Sequence, residues 1–373
     1  RVGKDFPVFL HPESNEEYAL ARTERKTSAG YHGFHFDTSP DISIEDDLGR
    51  RDLTINAMAR DSDGTLIDPY NGRSDIEARL LRHVSSAFSE DPVRVLRVAK
   101  FAARFNNHGF RVAPETMSLM RDMVAAGEVS SLVADRVWKE TEAALAGNNP
   151  QVFFEVLRDC GALQAVFPEI DALFGVPQPA RWHPEIDCGV HTMMVLEQAS
   201  LLSRLPEVRF AALVHDLGKA TTPKSQWPKH LGHEKRSAQL VKALSNRMPV
   251  PAAFRDLGML VAEFHAHSHR AFELRPDKIL KLLQRVDAFR RPDRFEHFLL
   301  ACEADARGRT GFEDEPYAQA EYLRKALDCA RAVTFDEKAT QGLSGRAIGE
   351  LVQKTRLHAI ENFKKTNGQI PKK

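Results

Sequence analysis

Two stretches of this sequence put ionisable side chains where they could do chemistry. The first is FAALVHDLGK, in which His215 and Asp216 adjoin inside an apolar run and Lys219 follows within one turn. A buried His–Asp doublet is costly unless each group is paired or bound to a metal. Imidazole beside carboxylate suits Zn, Mn, Fe, Ni or Mg better than a purely structural role. Candidate partners are His191, His233, His265 and Asp305. Each stands at the start or end of an otherwise apolar helical stretch, where side chains from several helices can converge.

The second is EDPVRVLRVAKFAARF, residues 90–105, where Asp91 and Pro92 precede a basic residue at every third position: Arg94, Arg97 and Lys100. Taken alone, it reads equally well as a capped amphipathic helix with Asp91 and Arg94 paired on one face. The other reading is recognition of a base. Cytosine offers an amine donor beside its N3 acceptor, and adenine an amine donor beside N1. One carboxylate acceptor and one guanidinium donor therefore suit both. Uracil and guanine present the opposite order and would leave buried groups unpaired. Asp91 and Arg94 are the natural pair. Arg97, a turn further on, would meet a triphosphate or brace the pair. Lys100 can hold a phosphate as a point charge but cannot make the planar fork of arginine. Upstream, Arg50, Arg51 and Asp52 form a charged triplet that on charge alone reads as solvated surface.

The elements that must position these groups follow from the texture of the chain. It has 373 residues, 42% hydrophobic and 28% charged, with zero net charge. That describes a globular protein with room for two or three domains. Global charge does not announce a nucleic-acid binder, so local clusters matter more. The longest apolar runs are too short to cross a bilayer. Four scattered cysteines, Cys160, Cys188, Cys302 and Cys329, make no C-x-x-C and fit a reducing compartment such as the cytoplasm. FPVFL and YALAR, either side of HPESNEE, predict a hairpin. AGYHGFHFDTSP predicts a loop and SIEDDLGRRDLTINAMA a helix, with RRD at a helix start. SDGTLIDPYNG reads as turn, short strand and turn. From about residue 72 the texture is helical. Pro92 sits just inside a helix start, and APETMSLMRDMVAAG and ADRVWKETEAALAG each stop near a glycine. FGVPQPARWHPEID, residues 174–187, carries three prolines and predicts a linker at a domain boundary.

The order H…HD…H…H…D over roughly residues 188–305 resembles the HD superfamily of metal-dependent phosphohydrolases. The resemblance implies His191, His215, Asp216 and Asp305 as direct metal ligands, His233 and His265 as completing a second metal position, and His267 and His269 on the surface. It implies a metal-activated water attacking a phosphoester, with His215, Asp216 and Lys219 as the catalytic set and Lys219 on phosphate oxygens. RRDLTINAMA, DPYNGRSD (68–75), EDPVR and ADRVWKE (134–140), in that order, resemble the ribose-binding, hinge, base-reading and helix-stabilising motifs of the class II tRNA nucleotidyltransferases. These are the CCA-adding enzymes and bacterial poly(A) polymerases, here in the form that carries a C-terminal HD domain.

That second resemblance covers essentially the whole chain. It implies that Arg51 holds ribose or triphosphate with Asp52 orienting it. It implies addition of C, C and A to tRNA 3′ ends from CTP and ATP without a template, using Mg²⁺. For the HD site it implies a 2′,3′-cyclic phosphodiester or a 2′-phosphate as ester, with Mg²⁺ for the diester and Ni²⁺ or another transition metal for a phosphatase step. The implied fold is α+β. The C-terminal part of a polymerase-β-like α/β head (1–70) precedes a helical neck and body (71–180), an HD domain (188–305) and a helical tail (306–373). The partner is tRNA, touched through the helical body and the lysine-bearing tail in a salt-sensitive way; a homo-oligomer is compatible. Transfer in this family also needs an Asp-x-Asp pair for two Mg²⁺ ions. DSDG (61–64) reads as a turn, Asp46 and Asp47 point apart on a helix, and Glu17 is at best a third carboxylate. The expectation is that those acids precede Arg1 and that extension of tRNA needs them. The alternative is a stand-alone HD phosphohydrolase with a degenerate nucleotide- or RNA-binding front half.

Overall fold

The structure, a computed structural model, describes residues 8–26, 34–37, 39, 41–334 and 341–367. It divides into two compact units, Arg1–Pro168 and Glu169–Lys373.

In the first unit, β1 (Phe9–Leu10) and β2 (Glu17–Tyr18) form the expected antiparallel hairpin, with Asn15 in the left-handed conformation closing its turn. β3 (Thr23–Lys26) pairs antiparallel with β4 (Phe34–Asp37). The loop expected over 29–40 is therefore partly strand; 29–33, 38 and 40 lie outside the described residues. α1 (Ile44–Gly49) is opened by a capping box between Ser43 and Asp46. It ends ten residues before the helix expected over 43–59 would, and Arg50, Arg51 and Asp52 follow its C-terminus instead of starting a helix. The reason is tertiary. The Gly49 carbonyl accepts from Ser85 Oγ at 2.8 Å and the Arg50 carbonyl from Arg94 Nη2 at 2.5 Å, so donors from elsewhere replace the next helical N–H groups. β5 (Ala59–Arg60) and β6 (Leu66–Ile67) flank the Asp61 turn. Asp68 accepts the Gly72 and Arg73 N–H groups at the start of α2 (Gly72–Ala78). A side chain at Gly72 would lie 2.3 Å from the Thr54 carbonyl oxygen, so this packing requires glycine.

β7 (Leu80–Leu81) then pairs in parallel with β8 (Arg111–Val112) across α3 (Val93–Phe105). The helices α4 (Pro114–Ala125), α5 (Ala134–Leu145), α6 (Pro150–Asp159) and α7 (Ala162–Val166) complete the unit. α3 buries Val95, Leu96, Val98, Ala99 and Ala102 and packs against α5 and α6. Phe88, Phe153, Phe154 and Leu157 fill the core.

A short helix, α8 (Pro168–Asp171), leads into the second unit, which is wholly helical but for one isolated bridge, Pro177–Asp187, among the described residues. Its helices are α9 (Cys188–Leu202), α10 (Pro206–Val214), α11 (His233–Arg247), α12 (Ala252–His269), α13 (Pro276–Arg285), α14 (Pro292–Arg307), α15 (Ala318–Arg331) and α16 (Gly345–Asn367). The segment 174–187, which reads as a linker, lies inside this unit. α10 packs against α9, α12 and α14. Leu323 and Ala326 of α15 and Ile360 of α16 are buried in one core with Ile279, Phe298 and Leu299. Of the lysine-bearing tail, residues 368–373 lie outside the described residues. No helix among the described residues is long and apolar enough to cross a membrane.

Candidate functional site

Each unit has its own cleft. The one in the first unit, about 1330 Å³, is lined by Arg51 and Asp52 after α1, by Asp91, Arg94 and Arg97 at the start of α3, and by Arg136 and Glu140 of α5. Asp91 accepts the Val93 N–H at 3.2 Å and so caps α3. Its two carboxylate oxygens also take a two-point fork from Arg136, at 3.0 and 2.7 Å. Arg94 is nearly buried and donates to the carbonyls of Ala87 (2.8 Å) and Arg50 (2.5 Å), tying the start of α3 to the end of α1. Asp52 accepts from Arg97 Nε at 2.7 Å, Leu53 N–H at 2.9 Å and Asn56 at 3.2 Å. Burial alone would raise the Asp52 carboxyl, but the Arg97 charge and these hydrogen bonds outweigh it and hold it below the usual carboxylate range.

Arg51 meets Asp47 at 3.2 Å and is more exposed than its neighbours. Asp47 turns inward to Arg50 while Asp46 caps the helix, so the adjacent acids do point apart. Lys100 pairs with Glu140 at 2.5 Å. Glu17 is exposed on β2 and lines the same cleft. All six residues expected to handle a nucleotide thus lie on two adjoining segments. Arg136, the two-point partner of Asp91, is the one the sequence reading missed. It sits inside ADRVWKE, but nothing local links it to a residue 45 positions away.

The second cleft, about 660 Å³, is lined by Trp182 and His183, by Asp216 and Lys219 after α10, by His233 at the start of α11, and by the C-terminal ends of α12 and α14. α9 starts with Asp187 as N-cap, its carboxylate accepting the Val190 N–H at 2.9 Å, which puts His191 in the first turn. α10 stops at Val214, so His215 and Asp216 stand at its C-terminal end. The turn Leu217–Lys219 then meets α11. A side chain at Gly218 would lie 2.2 Å from the His233 carbonyl oxygen, so the glycine of HDLGK lets α11 bring His233 against Asp216. His265 and Asp305 come from the C-terminal parts of α12 and α14.

The result is two triads of the expected ligands, His191, His215 and Asp305, and Asp216, His233 and His265, with a third group, His183, Glu185 and His191, sharing His191. Within each, the ligand atoms all lie within 4.8 Å of one another. His191 Nε2 is 3.1 Å and His215 Nε2 3.5 Å from Asp305 Oδ1. His233 Nε2 is 3.2 Å and His265 Nε2 3.6 Å from Asp216 Oδ1. Every Nδ1 faces outward onto a backbone carbonyl: Gly308 for His191 (2.9 Å), Ala212 for His215 (2.7 Å), His230 for His233 (2.9 Å) and Val261 for His265 (2.9 Å). A carbonyl only accepts, so each Nδ1 carries a proton and each Nε2 is the nitrogen that faces inward.

His215 Nε2, Asp216 Oδ1 and His233 Nε2 are buried and face one another at ion-pair distance, His233 to Asp216 at 3.2 Å, yet none has a hydrogen-bond partner in good geometry. Buried polar atoms rarely stay that way. A nitrogen- and oxygen-lined cluster of lone pairs with outward-anchored imidazoles fits a divalent cation. Burial alone would lower His215, but the carboxylates of Asp216 and Asp305 overcome it and raise the imidazole to about 10. A proton and a divalent cation therefore compete for the same Nε2. Both carboxyls stay well below their usual range despite burial. Lys219 is buried at 2.5 Å from Asp216.

Three features here differ from the sequence reading or go unseen by it. His267 is exposed as expected, but His269 is not a surface residue: its Nε2 lies 2.7 Å from Asp305 Oδ2 and its Nδ1 meets the Tyr317 hydroxyl at 3.0 Å. It follows His265 by four positions, which puts both rings on one face of α12. Glu185, with its side chain 2% exposed, lies 3.1 Å from both His191 Nδ1 and His183 Nδ1. Burial would raise its carboxyl, but the hydrogen bonds from His183 and His191 hold it far below the usual range. Gln178 joins Glu185 (3.2 Å) to Lys219 (2.8 Å). The segment 174–187 is thus an outer layer of the histidine site.

Residues 4–82 match the family described as "Poly A polymerase head domain" and residues 109–174 the one described as "Probable RNA and SrmB-binding site of polymerase A". Residues 189–291 match "HD domain". The chain is 64% identical over 364 residues to the multifunctional CCA protein of Thioalkalivibrio sulfidiphilus, covering 98% of this chain and 89% of that protein. It is 59% identical over 367 residues to the multifunctional CCA protein of Hahella chejuensis, with 98% and 87% covered. Among solved structures it is similar to a CCA-adding enzyme in apo form II, with TM-score 0.63 at 17% identity over 95% of this chain and 78% of that one. It is also similar to the Thermotoga maritima CCA-adding enzyme complexed with tRNA, with TM-score 0.59 at 18% identity over 99% and 78%. At those identities the structural likeness is one of fold.

Proposed function

The chain belongs to the multifunctional CCA proteins, and from that premise we propose how its two clefts divide the work. The protein is a tRNA nucleotidyltransferase that adds and repairs the 3′-terminal CCA from CTP and ATP without a nucleic-acid template, and an HD-domain phosphohydrolase. A stand-alone hydrolase with a degenerate front half is the weaker reading, because the relatives are matched through both units.

In the first cleft, Asp91 accepts the exocyclic amine of C or A while Arg94 is the matching donor to N3 or N1. Arg136 already occupies Asp91, so an incoming base exchanges one hydrogen-bonding partner for another and the carboxylate stays satisfied throughout. Arg97 and Lys100 would serve the phosphates, and Arg51 the ribose or triphosphate, with Asp52 orienting the group. Mg²⁺ is the ion proposed for transfer.

In the second cleft, His191, His215 and Asp305, and Asp216, His233 and His265, would hold divalent cations. The metal, when bound, supplies an acidified water and polarises the phosphoryl oxygen. Lys219 holds phosphate oxygens, and the outward Nδ1–H bonds keep the imidazoles aimed. A 2′,3′-cyclic phosphodiester and a 2′-phosphate are the proposed esters, with Mg²⁺ for the first and Ni²⁺ or another transition ion for phosphatase action. Work on tRNA fits the cytoplasm, and a homo-oligomer is compatible with it.

The observation that carries the hydrolase half is the set of buried, unpartnered ligand atoms at His215, Asp216 and His233. Hydrolysis should stop in EDTA and return with added divalent ion; full activity in EDTA would sink it. The nucleotide half is tested by equilibrium binding of CTP, ATP, UTP and GTP to the chain. Binding of CTP and ATP well above UTP and GTP is expected, and equal binding of all four would overturn it.

A further inference from the structure

The histidine cleft is larger than a phosphate group needs. Its 660 Å³ is the size of a small-molecule site, and its rim carries Trp182, Arg309 and Phe312. Of the chain's three tryptophans, Trp138 is buried and Trp227 donates its Nε1–H to the Thr222 carbonyl at 3.0 Å. Trp182, in contrast, leaves 57% of its surface in solvent. Its backbone is nonetheless held firmly. The N–H groups of Trp182 and His183 both donate to the Pro179 carbonyl at 3.0 Å, and Arg309 Nη1 reaches the Trp182 carbonyl at 3.4 Å. The ring of His183, the next residue, lies 4.6 Å from that of His191. A pinned segment thus holds an exposed indole next to His183, whose ring packs on the candidate ligand His191. The Arg181 guanidinium lies 4.8 Å from the indole centre, and that of Arg309 4.3 Å from the Phe312 ring centre. Indole faces and arene-stacked guanidinium planes are the surfaces on which nucleobases stack.

We propose that this rim is a base platform: it stacks the nucleobase of a phosphorylated nucleoside end on Trp182 and the Arg309–Phe312 pair while the ester lies over Asp216 and Asp305. The proposal rests on the phosphohydrolase reading of the site. It makes the preferred substrate a nucleoside phosphate, at an RNA 3′ end or as a mononucleotide, over a phosphoester without a base. Because every base has a π-face, the platform should tolerate all four bases.

The test uses the metal-loaded protein with adenosine 2′-phosphate, a short RNA ending in a 2′-phosphate, and glycerol 2-phosphate as the base-free ester. Trp182→Ala should raise KM for the nucleoside substrates by about tenfold more than for glycerol 2-phosphate, and Trp182→Phe should recover most of that difference. A response confined to the RNA assigns the platform to RNA ends; a response shared with the mononucleotide assigns it to nucleoside ends in general. An unmoved KM, or equal weakening towards all three esters, overturns the proposal. Equilibrium dialysis of adenosine 2′-phosphate in EDTA separates the two readings. If the wild-type protein cleaves none of the esters, the phosphohydrolase reading has failed. Weaker nucleotide binding by Trp182→Ala would then still support the platform, and unchanged binding would still overturn it.

Discussion

In the first cleft, Asp52, Asp91 and Glu140 meet Arg97, Arg136 and Lys100 at 2.7, 2.7 and 2.5 Å. In the second, His215 Nε2, Asp216 Oδ1 and His233 Nε2 stand close together with no hydrogen-bond partner. Both clefts concentrate charge, but only one is complete in itself. The first is a set of ion pairs whose members are half-exposed on the basic side, so a ligand can take over a partner at small net cost. The second is a buried cluster of facing imidazole nitrogens and carboxylate oxygens for which protons and a divalent cation compete. The nucleotide cleft should therefore be tolerant of conservative change, and the histidine cleft intolerant.

The sharpest break in that comparison is Asp216→Ala. It removes the carboxylate shared by His233, His265 and Lys219. Phosphoester hydrolysis should fall by about a thousandfold or more, while selective CTP and ATP binding stays within about twofold, well under the tenfold that 1.4 kcal/mol represents. Initial-rate hydrolysis and nucleotide binding on one preparation check both. Comparable loss of the two would mean that the clefts are not independent.

Glu185→Gln probes the outer layer. The carboxylate lies 3.1 Å from His191 Nδ1, whose Nε2 faces Asp305. Losing such an outer partner typically costs about 10–100-fold in metal affinity. Calorimetric titration with Mn²⁺ should show a loss in that range. An affinity equal to wild type would mean that the Gly308 carbonyl alone orients His191.

Asp91→Asn should act more mildly. The amide keeps one acceptor and can still meet Arg136, but it loses the charge. Discrimination of CTP and ATP over UTP and GTP should fall by about tenfold, one charge-assisted hydrogen bond's worth. Unchanged discrimination would move the base-reading role away from Asp91.

How much of this was legible beforehand depended on where each residue's partners lie. The clustering of the HD doublet with its histidines was readable because such residues recur at the ends of apolar helices, a pattern that survives in one dimension. His269 carried a usable signal, four residues after His265, that its placement on the surface together with His267 passed over. Glu185 and Gln178 sit in a proline-bearing stretch whose composition reads as linker, and only the fold turns it against the site. An acid two positions before Asp187, the N-cap of α9, was the one hint. The end of α1 was invisible for a different reason: Ser85 and Arg94, distant in sequence, cap it.

The smallest expected effect sharpens the claim that the first cleft is complete in itself. Asp52 is buried, and its carboxyl is held low by Arg97, Asn56 and the Leu53 N–H against the upward push of burial. A folded-state pKa below the unfolded value, about 3.9, contributes stability that is present above that pH. The contribution is lost as pH falls through the folded value, because the unfolded chain binds the proton first. Asp47, also held low, adds to the same trend. The Leu53 amide donates to Asp52 Oδ1 at 2.9 Å and reports the site directly. Its hydrogen-exchange protection, corrected for intrinsic chemistry, should fall in the wild-type protein as pH drops below about 4. In Asp52→Asn it should be lower at neutral pH and flatter with acid. A wild-type protection that stays flat to pH 3 would show that the Arg97 pair contributes nothing to holding the cleft together.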